Sequence, residues 1–463
     1  MANGARDYPY GGRVNTGGRV ISALPESDIS NAPGGPVLNL FTSTVVDSLP
    51  GPAWQVEARR HALQAADGLD VPSPDEEAWR YSRIGELQLD HYHPQGAPSD
   101  REDAPPVDLA QYPDPAATLT VRNGWIDQSW VGAEAAEWGV TVGPATGMAD
   151  GQRLVGSVLD EPADLFGHLN RAFGPEPAAV VIPDGVRLAA PIIVVVHADA
   201  DAAALFPRLV VEVGCDASAT VVELHTSTDV DSLVVPVLEA SVGPAGRLRH
   251  GLVQNLGRRV WQVGQQAFRV DTDATVEAFT AVLGGDYART RIDCRLVGRG
   301  AEGRLTAAYF GEGTQTLDFR TFQEHAAPDT TSDLLFKGAL DGASRSVYSG
   351  LITVRPEAVR TRAHQTNRNV KLSAEAWAES VPNLEIETND VVCSHASAVS
   401  PVDEEQRFYL EARGVPTPVA ERLIVEGFFD EVVAAAPVAA LGEALRCSLA
   451  ERLDRRTDRA QAA

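Results

Sequence analysis

The sequence predicts a mainly β protein whose centre is a parallel β-solenoid, with helical regions at both ends. Short β-branched runs bounded by Gly, Pro and Asp occur at residues 179–182 and 191–196. Units of strand, small turn and second strand then repeat, with a less regular unit ending at residues 339–342. Such a period is typical of stacked rungs that bury their faces on each other. Four Val anchors step by 29, 28 and 27 residues: Val213, Val242, Val270 and Val297.

The N-terminal region, residues 1–118, is predicted to be an arm followed by helices. Residues 1–50 are rich in Gly, Pro, Ser and Asn without a sustained period, which is typical of a flexible or loosely packed arm. Apolar residues at roughly helical spacing predict a helix between residues 52 and 69. Ser73 followed by Pro74 predicts the start of a second helix through Tyr81, and residues 94–118 resemble a linker. The β-solenoid is then assigned to residues 119–400.

The C-terminal region, residues 401–463, is predicted to be a helical domain. A helix from Asp403 to Ala412 should end before Gly414, because glycine accepts the left-handed C-cap conformation. Thr417 is predicted to cap a second helix, and residues 438–453 form a third. An apolar stripe on the second helix usually packs on its own domain and less often binds a partner. The stripe comprises Val419, Leu423, Ile424, Phe428 and Val432.

Composition argues against two classes of partner. With 39 Lys and Arg against 64 Asp and Glu, the net charge of −25 disfavours nucleic-acid binding, and no dense basic run provides a local exception. No run of about 18 apolar residues occurs, so no membrane span is predicted. The polar N-terminus lacks the apolar stretch of a secretory signal. These features predict a cytoplasmic protein.

The sequence lacks the common nucleotide-binding and hydrolase motifs. Residues 298–303 match G-x-G-x-x-G, but the residues that follow predict a strand instead of the helix that a dinucleotide site needs. No G-x-x-x-x-G-K-[ST] motif occurs, so no ATP site is predicted in this chain. The solenoid and the many carboxylates leave a polysaccharide-acting β-helix enzyme as an alternative, although such enzymes usually act outside the cell.

The most distinctive local chemistry is a thiol and an imidazole two residues apart. Cys393 and His395 would share one face of a strand and could point at one metal ion or one interface. Two ligands do not make a site, and His325 and His364 offer no better spacing. The four cysteines are 79, 99 and 54 residues apart, which argues against an autonomous zinc or iron–sulfur motif. A metal site would need ligands gathered across the fold or supplied by a partner.

Several motifs, in order along the chain, resemble the SufB/SufD family of the SUF iron–sulfur cluster assembly system. Residues 362–373 resemble the family's Gln-x-x-x-Asn-Leu-x-Leu-Ser stretch, with Gln365 and Asn369 at the matching positions. Residues 384–395 and 403–414 continue the resemblance in order. Upstream, residues 79–81 resemble the family's N-terminal Trp-Arg-Tyr segment. Several ordered motifs together are far more specific than any one of them.

Within this family the chain resembles the SufD type more than the SufB type. SufB-type chains carry a Cys after the Leu-Ser pair, and residues 373–378 contain none. They also carry a Glu directly after the family's His, where this chain has Ala396. Residues 396–398 depart from the Gly-Ala-Thr that is usual in the SufD type. A SufB-like scaffold that holds a cluster by itself is the alternative within the family.

The resemblance implies a right-handed parallel β-helix between helical terminal domains, in a scaffold subunit that is not an enzyme. It implies pairing with SufB through the β-helix and binding of the SufC ATPase through the C-terminal helices. A transient iron–sulfur cluster or iron would form at the SufB–SufD interface, with His395 as a ligand and Cys393 as a second candidate or a packed thiol. The resemblance also allows a flavin in the complex, indirect supply by a cysteine desulfurase system, and a homodimer when the chain is alone.

Overall fold

The computed structural model describes residues 39–96 and 114–462, together with Val107, Leu109 and Tyr112. None of the described helices is long and apolar enough to cross a membrane. The helices are α1 (Ser43–Ser48), α2 (Ala53–Ala66), α3 (Ala133–Glu137), α4 (Gly151–Leu154), α5 (Leu165–Phe173), α6 (Glu404–Glu411), α7 (Thr417–Val433) and α8 (Ala439–Ala462).

The chain between residues 178 and 401 coils into a parallel β-solenoid of about eight turns, which confirms the predicted fold class. Each turn contributes one strand to each of two sheets. The first sheet has the order β21 (Trp377–Ile386), β19 (Arg345–Val354), β17 (Thr316–His325), β15 (Tyr287–Leu296), β13 (Trp261–Val270), β11 (Val237–Val242), β8 (Arg208–Val213), β5 (Ala178–Ile182) and β4 (Thr141–Pro144). The right hand of the coil stays a prediction from the resemblance.

The second sheet runs alongside the first. Its order is β22 (Val391–Pro401), β20 (Thr361–Lys371), β18 (Thr331–Leu340), β16 (Glu302–Gly311), β14 (Thr275–Val282), β12 (Arg247–Asn255), β9 (Ser218–Ser227), β6 (Ile192–Ala198), β2 (Ala117–Arg122) and β3 (Trp125–Val131). Three short strands extend the first sheet from β13, which pairs with β10 (Ser232–Val234); β10 pairs in turn with β7 (Ala203–Leu205), and β7 with β1 (His93–Pro94). Antiparallel strands β3 and β4 end the two sheets at the N-terminal end of the coil.

The predicted repeat is confirmed, with one correction in register. Val213, Val242 and Val270 end their strands and lie side by side in the first sheet. The next residue of this buried row is Leu296, which pairs with Val270, so the prediction for Val297 is wrong by one residue. Residues 339–342 do not belong to this row, because β18 ends at Leu340 in the second sheet. Strand register sets the period, and the anchors in the sequence only approximate it.

The corner after each first-sheet strand repeats one left-handed residue per turn. Asp273, Gly300 and Asp329 have φ angles of 53°, 71° and 61°. The backbone N–H of each donates to a carbonyl in the next turn, such as that from Gly300 to Pro328 at 3.1 Å. The G-x-G-x-x-G match is therefore a solenoid corner, and β16 follows it directly. This confirms the rejection of a dinucleotide site there.

His325 is a polar exception in the apolar row that contains Leu296. It pairs with Leu296 across the sheet and is fully buried. Its Nδ1 lies 2.8 Å from the Thr330 hydroxyl and its Nε2 lies 2.9 Å from the Ser332 hydroxyl. Burial lowers the pKa of His325 from 6.5 to about 4. The imidazole is therefore neutral in the folded chain at neutral pH.

Acidification is expected to destabilise the chain through His325. Because the pKa is 6.5 unfolded and about 4 folded, the unfolded state binds the proton first as the pH falls between these values. His325 alone should lower the free energy of unfolding by about 3 kcal/mol between pH 7 and pH 4. Denaturant titrations at pH 7, 5.5 and 4 measure the decline, which His325→Leu should reduce. An equally steep decline in this variant would contradict the prediction.

The described part of the N-terminal region is packed on the solenoid, which corrects two predictions. Residues 39–50 were expected in a flexible or loosely packed arm, but they contain α1, and Phe41 packs edge-on against Phe173 at 5.3 Å. Residues 1–38 of that arm, and residues 97–106 of the linker, lie outside the described residues. Helix α2 confirms the helix between residues 52 and 69. The helix predicted through Tyr81 is wrong, because only Glu77–Trp79 forms a short 3₁₀ turn, which sheet contacts hold.

The C-terminal helices follow the predicted order, with corrections at their ends. Asp403 caps α6 by accepting from the backbone N–H groups of Glu405 and Gln406 at 2.9 and 3.0 Å. Gly414 has a φ of 83°, as the predicted stop requires. Thr417 is not the cap that was predicted, because α7 begins at this residue without a side-chain cap bond. Helix α8 continues to Ala462, beyond the predicted end at residue 453, and Arg455 and Arg456 of the added turns bond Glu312 and Glu421.

Candidate functional site at the open end of the solenoid

Both sheets end in an edge strand at the C-terminal end of the coil. These strands are β21 and β22, and we call this place the open end. Ile386, Val392 and Val399 are exposed there. Proteins usually cover or charge their edge strands, because the free N–H and C=O groups attract other strands. Exposed apolar side chains therefore occur on both edge strands, mostly on β22, and each strand has one side unpaired within the described structure.

Cys393 and His395 lie two residues apart on strand β22 and share one of its faces, as the sequence predicts. Cys393 pairs with Ala363 and His395 with Gln365 on the neighbouring strand. The thiol is half-buried beside the apolar cluster that contains Ile352 and Ala363, and burial raises its pKa. His395 is exposed. The two groups therefore share a face but differ in environment, and the imidazole is the more accessible of the two candidate ligands.

The side chains beneath His395 are polar and buried. On β20, Gln365, Asn367 and Asn369 alternate toward the interior. Tyr309 donates to Asn369 Oδ1 at 2.8 Å and accepts from Asn367 Nδ2 at 3.0 Å. The Asn369 amide donates to Asn367 Oδ1 at 2.9 Å. Gln365 and Asn369, which carry the motif, thus face the interior under the last turn.

One glycine makes this network possible. Gly338 lies between Tyr309 and Asn369 in the second sheet. A Cβ at this position would come within 1.9 Å of the Tyr309 ring, so only glycine lets the ring cross to the next turn. Sequence reasoning missed Tyr309 and Asn367. Alternation of amides along residues 365–369 could have indicated Asn367, but only register brings Tyr309 to it.

The site holds few metal ligands of its own. No group of three or more His, Cys, Asp and Glu side chains that could hold a metal ion occurs within the described part of the chain. His325 is buried elsewhere in the solenoid interior. His364 is exposed on the opposite face of the neighbouring strand, with its Nδ1 2.8 Å from the Ser394 hydroxyl. The structure therefore does not bring either histidine to His395.

A groove of about 1020 Å³ lies between the open end and the C-terminal helices. Its walls include Ala396 and Ala398 of β22 and Tyr409 of α6, and its floor includes Leu423 and Phe428 of α7. Lys337 fixes α7 to the solenoid, because its ammonium group donates to the Phe428 carbonyl at 3.0 Å and to Glu431 at 2.8 Å. The groove therefore borders the second half of β22, but neither Cys393 nor His395 lines it.

The apolar stripe predicted on α7 lies mostly outside the core. Val419 and Leu423 are 45% and 48% exposed, and Ile424 and Phe428 are partly buried beside the core. Only Val432 belongs to the buried face, which also contains Ala420, Val425, Phe429 and Val433. The usual interpretation, that such a stripe packs on its own domain, is therefore wrong for Val419 and Leu423. Helix α7 is apolar on two faces, and the sequence does not say which one is covered.

The chain matches one family model and several known proteins. The model of the family described as SUF system FeS cluster assembly, SufBD core domain, matches residues 195–428. An iron–sulfur cluster assembly SufBD family protein of Mycobacterium tuberculosis is 36% identical over 225 residues, 47% of this chain and 57% of that protein. One from Mycobacterium leprae is 33% identical over 295 residues, 61% of this chain and 74% of that protein.

A more distant relative covers more of the chain. The iron–sulfur cluster assembly protein SufD of Bacillus subtilis is 26% identical over 405 residues, 84% of this chain and 91% of that protein. By contrast, the chain spans only a little over half the length of the M. tuberculosis relative. The match to the family model contains both Cys393 and His395, and most of α7.

Proposed function

Because this chain belongs to the SufBD family of the SUF iron–sulfur cluster assembly system, we propose that it is the SufD-type scaffold subunit of a complex with SufB and the ATPase SufC. The observation that carries the proposal is the exposed imidazole of His395 on an edge strand, next to two unpaired sheet edges. The lack of a Cys at residues 373–378 and the presence of Ala396 favour the SufD type over the SufB type.

SufB is the partner at the open end in this proposal. A second solenoid can continue both sheets by satisfying the edge groups of β21 and β22. His395 would then lie at the boundary between the two subunits. Imidazole nitrogen can ligate iron, and the remaining ligands of a nascent cluster would come from SufB. The cluster is the product of this scaffold, and the chain itself performs no catalytic step.

SufC is the partner at the C-terminal helices. Exposed Phe408, Tyr409, Val419 and Leu423 on α6 and α7 supply an apolar surface for it. The groove joins this surface to β22, so movement of the ATPase subunits can reach the open end. ATP binding by SufC would act on the cluster site by shifting the scaffold between two arrangements. We place this assembly in the cytoplasm.

Copurification tests the proposal. The tagged chain, expressed with its cognate SufB and SufC, should yield a stable complex of one copy, one SufB and two SufC subunits by light scattering. A homodimer recovered without either partner would contradict the proposed role.

Anaerobic reconstitution of the isolated chain provides a second readout. A stoichiometric iron–sulfur spectrum from the chain alone would indicate the SufB-like alternative instead.

A further inference from the structure

The segment of residues 77–83 is fixed to the outer face of the first sheet by buried charges. Asp318 is fully buried and accepts from Arg289 at 2.9 Å and from Arg320 at 2.6 Å. Arg289 lies over the Trp79 ring at 3.7 Å and donates to the carbonyl of Ala78 at 2.7 Å. Removing one partner from such a group would leave an uncompensated buried charge. The segment therefore has a rigid attachment to the solenoid.

This attachment brings Tyr81 to the open end. Arg320 donates to the carbonyl of Arg80 at 2.6 Å, directly before Tyr81. Tyr81 then adopts a φ of 66°, a left-handed conformation that is strained for a bulky residue. Its ring is 43% exposed and lies 6.0 Å from the ring of Trp377, the first residue of edge strand β21. The strain is thus associated with an aromatic pair at the edge.

Two arginines accompany the aromatic pair. The Arg80 guanidinium lies 5.4 Å from the Tyr81 ring, and that of Arg345 lies 6.0 Å from the Trp377 ring. Neither guanidinium forms an ion pair with a carboxylate of the described residues. Tyr, Trp and Arg are the residues that dominate binding energy in protein interfaces. Two arginines without a carboxylate partner in the described part of the chain, beside an aromatic pair, favour an acidic counterpart.

The position of this patch indicates its occupant. The patch adjoins the free edge of β21, and the second sheet ends in β22 at the same end of the coil. Another β-solenoid can extend both edges at once, whereas a single peptide strand extends only one. We propose that Tyr81 and Trp377, with Arg80 and Arg345, form a binding hot spot for the SufB-type subunit, which places carboxylates opposite the two arginines. This inference rests on the proposed function and adds the N-terminal segment to its interface.

The test is the affinity of the full-length chain for purified SufB. Tyr81→Gly removes the ring while keeping a residue that accepts the left-handed conformation. We expect this variant, and separately Trp377→Ala, to raise the Kd about tenfold or more, with an unchanged denaturation midpoint for Tyr81→Gly. Trp138→Ala is the control, because Trp138 is as exposed as Tyr81 and lies between β3 and β4 at the other end of the coil. It should leave the Kd unchanged.

Salt dependence tests the predicted carboxylates. The double variant Arg80→Gln, Arg345→Gln should flatten the dependence of the Kd on ionic strength, because exposed ion pairs are screened by salt. If the Kd of the double variant depends on ionic strength as steeply as that of the wild-type chain, SufB places no carboxylates opposite the two arginines. If the wild-type chain binds SufB and both aromatic variants bind equally well, the hot spot is overturned while the proposed function stands. If the wild-type chain does not bind SufB, both are overturned.

Discussion

Replacing His395 with Ala is expected to leave the complex with SufB and SufC intact and to remove most of its iron–sulfur cluster. The imidazole is exposed on β22 and has little packing to lose, so the interface should tolerate its removal. Loss of a ligand from a small metal site is far more damaging, and we expect a decrease in cluster content of about tenfold or more. Iron and sulfide per complex, with the visible spectrum, measure the result after anaerobic purification.

The neighbouring strand provides the control for this experiment. His364 is also an exposed histidine, but it lies on the opposite strand face and bonds the Ser394 hydroxyl. His364→Ala should therefore keep its cluster. Cys393→Ser distinguishes the two roles considered for Cys393. The complex should lose cluster content if the thiol is a ligand and keep it if the thiol is only packed. Full cluster content in His395→Ala would remove this residue from the site.

Placing a carboxylate at Leu423 is expected to abolish binding of SufC while the solenoid stays folded. Leu423 is 48% exposed on α7 and does not belong to the core. If the stripe is the binding surface, Leu423→Glu brings an unpaired charge into an apolar contact, which costs several kcal/mol. This corresponds to a loss of affinity of about a hundredfold or more. Titration calorimetry of the purified chain with SufC measures the change.

A substitution is a cleaner test of this surface than removal of the C-terminal region. Helices α7 and α8 cover Phe279 and Phe310 on the second sheet, so truncation would expose part of the core. The matched control is Leu69→Glu, because Leu69 is similarly exposed but follows α2 in the N-terminal region. It should bind SufC normally. Normal binding by Leu423→Glu would place the ATPase contact elsewhere.

Much of the fold could be predicted because it is periodic or local. Every turn of the solenoid buries a row of side chains, so the row of Val213, Val242 and Val270 appears as a repeat in the sequence. The cap at Asp403 and the stop at Gly414 need only neighbouring residues, and both predictions are confirmed. The ordered motifs placed the chain in its family without any knowledge of contacts.

Predictions failed where contacts between distant parts of the chain override the local conformational preference of a segment. Residues 73–81 have a helix start signal, but Arg289 and Arg320 hold the carbonyls of this segment on the sheet instead. The caps and propensities involved are worth about 1 kcal/mol, whereas the buried charge network around Asp318 involves several kcal/mol. The tertiary contacts therefore decide the conformation.

By itself, then, the sequence determined the solenoid, its helical ends, the shared face of Cys393 and His395, and the family. Only the tertiary structure decided that Leu423 faces outward, that Tyr309 reaches Asn369, and that Tyr81 lies beside Trp377. The physical reason is that a pattern along one element reports its period but not its neighbours. Register and docking depend on the packing of whole faces, to which each residue adds a small share.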